Sequence, residues 1–150
     1  MHSTPVLLKP VIALAAAGII ATSLAGCSVV TSIVHQDAWA VSYEIAVDGS
    51  DPVELSHVRY ETQPKRGEDR ETIDVGSVTT ASLGTDGSTG WRTDDALLEV
   101  KTKAELTATV PKGTSATCRI LLDKTRVIAE EKASKDGSLR CEVVTPEFEK

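Results

Sequence analysis

The chain has 150 residues, 16 basic and 22 acidic side chains, a formal net charge of −6 at pH 7 and only 3% aromatic residues. An acidic balance of this kind excludes a basic nucleic-acid surface, and the length leaves room for one domain with its own core but not for two of ordinary size. The three cysteines and three histidines form no Cys-x-x-Cys or Cys/His cluster, so neither a zinc site nor a dithiol centre is written in their spacing.

The first residues carry one cationic side chain, Lys9, then the apolar run from Val11 to Ala21 and the tetrapeptide Leu24-Ala25-Gly26-Cys27. This is the layout of a secretory signal, and from Val11 to Ala25 it is shorter than the roughly 20 apolar residues that a spanning helix needs. Leu-Ala-Gly-Cys resembles the bacterial lipobox, in which small residues admit the chain to the signal peptidase and the cysteine thiol takes diacylglycerol. The reading is a lipoprotein signal peptide over residues 1–26, cleavage before Cys27 and lipid on Cys27. The competing reading is an uncleaved segment that happens to contain Cys27, and the charge-poor start, with Lys9 alone, departs from the usual pattern. Acylation by more than one chain anchors a protein stably where a single chain does not. Once the leader is gone, 124 residues remain; it carries one lysine and no acid, so their formal charge is −7.

Residues 27–37 then read as a lipidated tether without sustained period, and Ser28 to Gln36 reach at most roughly 30 Å at about 3.3 Å per residue. The domain, residues 38–150, is thereby expected close to the outer face of the cell membrane. From Trp39 the apolar positions alternate. Trp39, Val41, Tyr43, Ile45 and Val47 share one face, while Ala40, Ser42, Glu44 and Ala46 share the other, which is the pattern of a half-buried strand. Asp48 to Pro52 supplies turn residues, and a second strand through His57 to Glu61 could form a hairpin with the first. Gln63 to Arg70 is a charged loop, Thr72 to Val75 resumes the alternation, and Gly84 to Gly90 is another polar loop closed by Trp91.

In the second half, Leu106, Ala108 and Val110 alternate, Pro111-Lys112-Gly113 turns, and Cys118, Ile120 and Leu122 alternate again. Asp123-Lys124 makes a tight turn into Arg126 to Glu130, and Leu139, Cys141 and Val143 form the last strand. Asp94 to Thr102 is arguable as helix, but its neighbours fit strands as well. The fold class is therefore all-β, an immunoglobulin-like β-sandwich of about seven strands, because one sheet of this size would leave an apolar face in water. The antibody pattern itself is absent, since Trp91 precedes both Cys118 and Cys141 rather than lying between them. With Cys27 given to lipid, Cys118 and Cys141 are the remaining pair in an oxidising compartment, and both sit on inward positions; a disulfide is the parsimonious reading.

Candidate chemistry is sparse. His35 lies in the tether and His57 near a strand start, neither in a metal pattern, and Ser115 and Ser138 lack the Gly-x-Ser-x-Gly context of a hydrolase nucleophile. Asp48-Gly49-Ser50-Asp51 and Asp86-Gly87-Ser88 are compatible with calcium loops but also with the tight turns that strands require. Lys101, Lys103, Arg119, Lys124 and Arg126 form either a basic stripe for anionic lipid or a partner, or the polar outer face of a sheet. No catalytic, cofactor or metal residue is assigned.

The segment Thr117 to Lys124, then Val127 to Glu131, Gly137 and Cys141, resembles the end of the mycobacterial small membrane proteins known as MmpS, where a Cys-x-Ile strand, an Asp-containing hairpin, a Val-Val/Ile-x-Glu strand and a second cysteine follow one another. Val41 to Ile45 and Val58 to Tyr60 are similar to that family's first two strands, and Trp91 to its tryptophan before the strand ending at Val100. The resemblance implies a β-sandwich outside the membrane and a non-enzymatic role as accessory to an RND-type, MmpL-like exporter of lipids or siderophores. Two features differ from the family pattern: a lipobox stands where an N-terminal spanning helix is usual, and residues 63–70 and 84–90 are longer or more polar. The function expected is thus an envelope lipoprotein that binds a membrane partner. The alternative is a lipid or small-molecule carrier with a cavity between its sheets, and an enzyme comes third, to be revived by a hydrolytic activity that depends on His57.

Overall fold

A computed structural model of the protein describes residues 37–84 and 87–149. The export segment, Cys27, His35 and the tether up to Gln36 lie outside the described residues, as do Thr85, Asp86 and Lys150. Nine strands follow one another: β1 (Ala38–Val47), β2 (Glu54–Thr62), β3 (Glu71–Thr79), β4 (Ala81–Ser82), β5 (Thr89–Glu99), β6 (Lys103–Thr109), β7 (Ala116–Leu122), β8 (Arg126–Lys132) and β9 (Ser138–Val144). They form two antiparallel sheets, five-stranded in the order β4-β5-β1-β7-β8 and four-stranded in the order β3-β2-β6-β9.

The alternation of β1 places its apolar face as the sequence predicts. Trp39, Val41, Tyr43, Ile45 and Val47 are all buried, and they meet Leu55 and Val58 of β2, Leu106 of β6, Ile120 of β7 and Leu139 of β9 in one core supplied by both sheets. Each such side chain contributes roughly 1.5–3 kcal/mol on burial. Cys118 of β7 and Cys141 of β9 point into this core from opposite sheets and are disulfide-bonded, with Cα atoms 6.1 Å apart and both residues fully buried. Three rings extend the core towards β5: Tyr43 to Tyr60 at 5.3 Å and Tyr60 to Trp91 at 6.0 Å between centroids.

One local expectation is corrected. The first two strands are not a hairpin: β1 pairs with β5 and β7, while β2 pairs with β3 and β6 in the other sheet. Alternation shows which face of a strand is apolar but not which neighbour it takes, and Asp48 to Val53 carries the chain from one sheet to the other. Asp94 to Glu99, the one stretch arguable as helix, is strand as the all-β reading has it, part of the 11-residue β5. Its residues pair with β1 from Ala38↔Glu99 to Val47↔Thr89, and tertiary pairing of this length overrides a short ambiguous run. Nine strands appear where about seven are expected, because Leu97 belongs to a complete strand and the two-residue β4 is too short to show a period.

The β7–β8 turn is the predicted hairpin. Asp123 and Lys124 both adopt left-handed conformations, φ 50° and 67°, in the four-residue turn closed by the Thr125 N–H to Leu122 C=O bond of 3.1 Å. Positive φ at both central residues twists a turn in the same sense as its strands. At Gly90 a side chain is excluded for a different reason: a Cβ would stand 2.0 Å from the Ile45 carbonyl oxygen and 2.6 Å from a Leu83 methyl.

Candidate functional site

The outer face of the five-stranded sheet carries a row of charges fixed by register. Glu44 in the middle of β1 stands opposite Arg92 of β5 on one side and Arg119 of β7 on the other, and Arg119 stands opposite Glu130 of β8. The side chains join along that row. Arg92 Nη1 lies 3.3 Å from Glu44 Oε2, Arg119 Nη1 3.1 Å from Glu44 Oε1, and Arg119 Nε 2.6 Å from Glu130 Oε2. Arg92 Nε also reaches Asp94 Oδ1 at 2.7 Å, with Lys124 Nζ 3.8 Å from the other Asp94 oxygen.

Glu44 is 8% exposed although it faces outward, because the two arginine side chains cover it. Both its oxygens are engaged by guanidinium groups. Partial burial works against the charge of Asp94, but the hydrogen bonds from Ser42 and Arg92 and the positive charges of Arg92 and Lys124 hold its carboxyl below the ordinary value. Glu130 and then Glu44 raise the Arg119 pKa against the effect of its desolvation.

Beside this row lies an open cleft of about 720 Å³, with Glu44, Ala46, Arg119 and Leu121 among its lining and with Leu83 and Val127 also bordering it. Val127 is 48% exposed on β8, the edge strand of this sheet. The cleft offers apolar surface and paired charges. Asp48 and Ser88 line it as well.

The four-stranded sheet has a comparable outer face. Lys103, Glu105, Arg140 and Glu142 close a ring of ion pairs, with distances of 2.6 Å, 3.1 Å, 2.6 Å and 3.1 Å around it. Arg59 pairs with Asp74 across β2 and β3 at 2.8 Å. The basic residues picked out in the sequence therefore do not form one stripe. Arg119 and Lys124 belong to the five-stranded sheet's network, Lys103 to the other sheet's ring, and Lys101 pairs with Glu147 of the C-terminal segment.

Cys118 and Cys141 are brought together as expected, and Cys27 lies outside the described residues. His57 is exposed at a bulge in β2 with φ 52°, and it lines a shallow concavity of about 320 Å³ that Ser138 also borders. No hydrogen bond joins the two among the described residues. The Ser138 backbone N–H instead bonds the Asp136 carboxylate at 3.1 Å, which fixes the β8–β9 turn. Ser115 is exposed, and its carbonyl accepts the Asp48 N–H at 3.0 Å. Asp48 to Asp51 is a turn with Gly49 at φ 108°, and among the described residues no group of three or more His, Cys, Asp or Glu side chains is placed to hold a metal ion.

The sequence reading missed the Glu44 row. Glu44 sits at an outward position of an alternating strand, where a solvated carboxylate is the ordinary outcome, and the arginines that cover it are 48 and 75 residues away. No local signal carries that information. Comparison of the chain with protein-family models, with curated proteins and with solved structures finds no match in any of the three.

Proposed function

We propose that the chain is a lipid-anchored protein of the bacterial cell envelope whose immunoglobulin-like β-sandwich, itself non-enzymatic, acts as an accessory or adaptor to a membrane partner. The partner class is an RND-type, MmpL-like exporter of lipids or siderophores, which the likeness of Val41 to Val144 to the MmpS proteins suggests. The observation that carries the reading is the position of a fully buried Cys118–Cys141 bridge in a domain whose first strand begins eleven residues after the lipobox cysteine. A buried structural disulfide belongs to an oxidising compartment, and the short tether keeps the domain beside the membrane that the signal addresses. The outer-face cleft next to Glu44 and Val127 is the surface we assign to that partner. The carrier reading gains no support from the space between the sheets, which the core and the bridge occupy.

Two measurements test this. Mass spectrometry of the membrane-extracted protein is expected to find diacylglycerol on Cys27 at a new N-terminus; an unmodified chain with an intact leader overturns the anchor. Crosslinking and pull-down from native membranes, with Cys27→Ala as control, is expected to recover a transporter with the anchored form only. Retention of lipid with no protein partner would favour the carrier instead.

A further inference from the structure

The last described residues fold back onto the domain. Thr145 is 1% exposed; its hydroxyl donates to the Glu99 carbonyl at 2.6 Å and accepts the Thr102 N–H at 3.0 Å. Its own N–H and C=O are bonded to Thr102 and Lys101, so the chain is pinned at this point. Beyond it, Pro146 to Phe148 cross the start of β1 and make three chemically different contacts. The Trp39 indole N–H donates to the Pro146 carbonyl at 2.8 Å. The Phe148 ring stacks on the Trp39 ring, with centroids 4.0 Å apart and planes inclined by 13°. The Glu147 carboxylate pairs with the Lys101 ammonium group.

The receiving groups belong to the scaffold, Trp39 to β1 and Lys101 to the β5–β6 turn, where φ is 58°. The received groups lie on the surface: Phe148 is 40% exposed, and the Glu147 side chain 65%. The segment is thus seated on the domain rather than built into its core. It carries a carbonyl, an acid and an aromatic ring on three successive residues, each matched by one feature of the surface beneath.

We infer that Trp39 and Lys101 form a peptide-recognition site, closed in cis by the chain's own Pro146–Phe148 segment. Its ligand is an extended segment of a partner protein that presents a backbone carbonyl, an acidic side chain and an aromatic ring in that order. The seated tail defines that chemistry: the carbonyl answers the indole N–H, the acid answers Lys101, and the ring answers the Trp39 face. A tail joined directly to its site has an effective concentration on the order of millimolar or more, so it acts as an autoinhibitory contact that the ligand must displace. The Asp37 carbonyl accepts the Val100 N–H at 2.9 Å, which places the site where the chain enters the domain.

The test uses a synthetic peptide with the sequence of residues 145–150 and follows the Trp39 indole N–H resonance, one of two indole signals in the protein. Two tail-opened forms are compared with the intact chain: one ending at Thr145, and a full-length Phe148→Ala form that keeps the proposal testable if the shorter chain does not fold. Opening the tail is expected to shift the Trp39 signal, and added peptide to return it saturably, with the intact chain needing at least about tenfold more peptide for the same response. A peptide with alanine in place of its phenylalanine is expected not to bind. A Trp39 signal unmoved by Phe148→Ala, or no response of either opened form to the peptide at several times the concentration that its tethered counterpart provides, overturns the site. Dimerisation of the intact chain that Phe148→Ala abolishes would make a second copy's tail the occupant and overturn the partner assignment.

Discussion

Arg119 on β7 and Glu44 on β1 face each other directly across the ladder, and their side chains meet at 3.1 Å over the outer face of the sheet. With Arg92 on the other side, a carboxylate that alternation assigns to solvent becomes 8% exposed. Glu44→Ala leaves two guanidinium groups without their shared acceptor on a covered strand. The expected loss is about 2–3 kcal/mol, in the range of hydrogen bonds to charged groups. Glu44→Gln keeps an acceptor and is expected to cost about half as much. The arginines are partly exposed, so Arg119→Ala is expected to cost less than Glu44→Ala. Urea unfolding of the three variants decides this, and three midpoints equal to that of the parent would make the row mere surface decoration.

The Cys118–Cys141 bridge closes a separation of 23 residues between opposite sheets, and neither sulfur is accessible to solvent. For a loop of this length, chain entropy alone gives a stabilisation of about 3.5 kcal/mol. A Cys118→Ala, Cys141→Ala double variant is expected to lose about that amount. In the parent protein, thiol labelling under reducing conditions is expected to proceed at the rate of global unfolding, rising as urea is added. Rapid reduction in the absence of urea would show instead that the sheets open locally around the bridge.

Acid is expected to weaken the fold through the ion-pair networks. Hydrogen bonds from Lys103 and Arg140 hold the Glu142 carboxyl below its ordinary value of 4.5, and the Ser42 and Arg92 contacts, against partial burial, hold Asp94 below 3.8. The folded pKa lies below the unfolded one in both cases, so the contribution is complete above those ordinary values and drains away as pH falls towards the folded ones. The urea midpoint is expected to fall below about pH 4.5, and Glu142→Gln to flatten part of that slope. The slope is also expected to shrink near 1 M salt, where the screening length is about 3 Å. A salt-independent acid transition would assign the loss to groups outside these networks.

Much of the fold was legible because it rests on local alternation. Trp39 to Val47, Leu106 to Val110 and Cys118 to Leu122 each read as half-buried strands, and the core uses their apolar faces as read. The inward parity of Cys118 and Cys141 likewise placed both sulfurs in the core. What alternation does not carry is pairing. The apparent β1–β2 hairpin is a crossing between sheets, and the partners of β1 come from residues 89–99 and 116–122. Glu44 and the Trp39–Phe148 stack escaped the reading for the same reason: each depends on residues brought from far along the chain, and Phe148 stands outside any periodic segment.

Tyr43 links the core to a backbone acceptor, and its alkaline behaviour follows from that position. Its ring is fully buried, and its hydroxyl donates to the Glu61 carbonyl at 2.6 Å. Burial first, and then the neighbouring Glu61 charge, pushes the phenol well above its ordinary value of 10.0. A phenol that ionises more readily in the unfolded chain favours unfolding in base, so this part of the stability is present below the ordinary value and lost as pH rises above it. Tyr43→Phe removes both the hydrogen bond and the titration. It is expected to cost about 1–2 kcal/mol near neutral pH and to lessen the decline in base. Phenolate absorbance provides the direct measurement: in the parent, one of the two tyrosines is expected to ionise only as the protein unfolds, and that component to be missing from Tyr43→Phe. If the variant retains it, the phenol shielded by folding is not Tyr43.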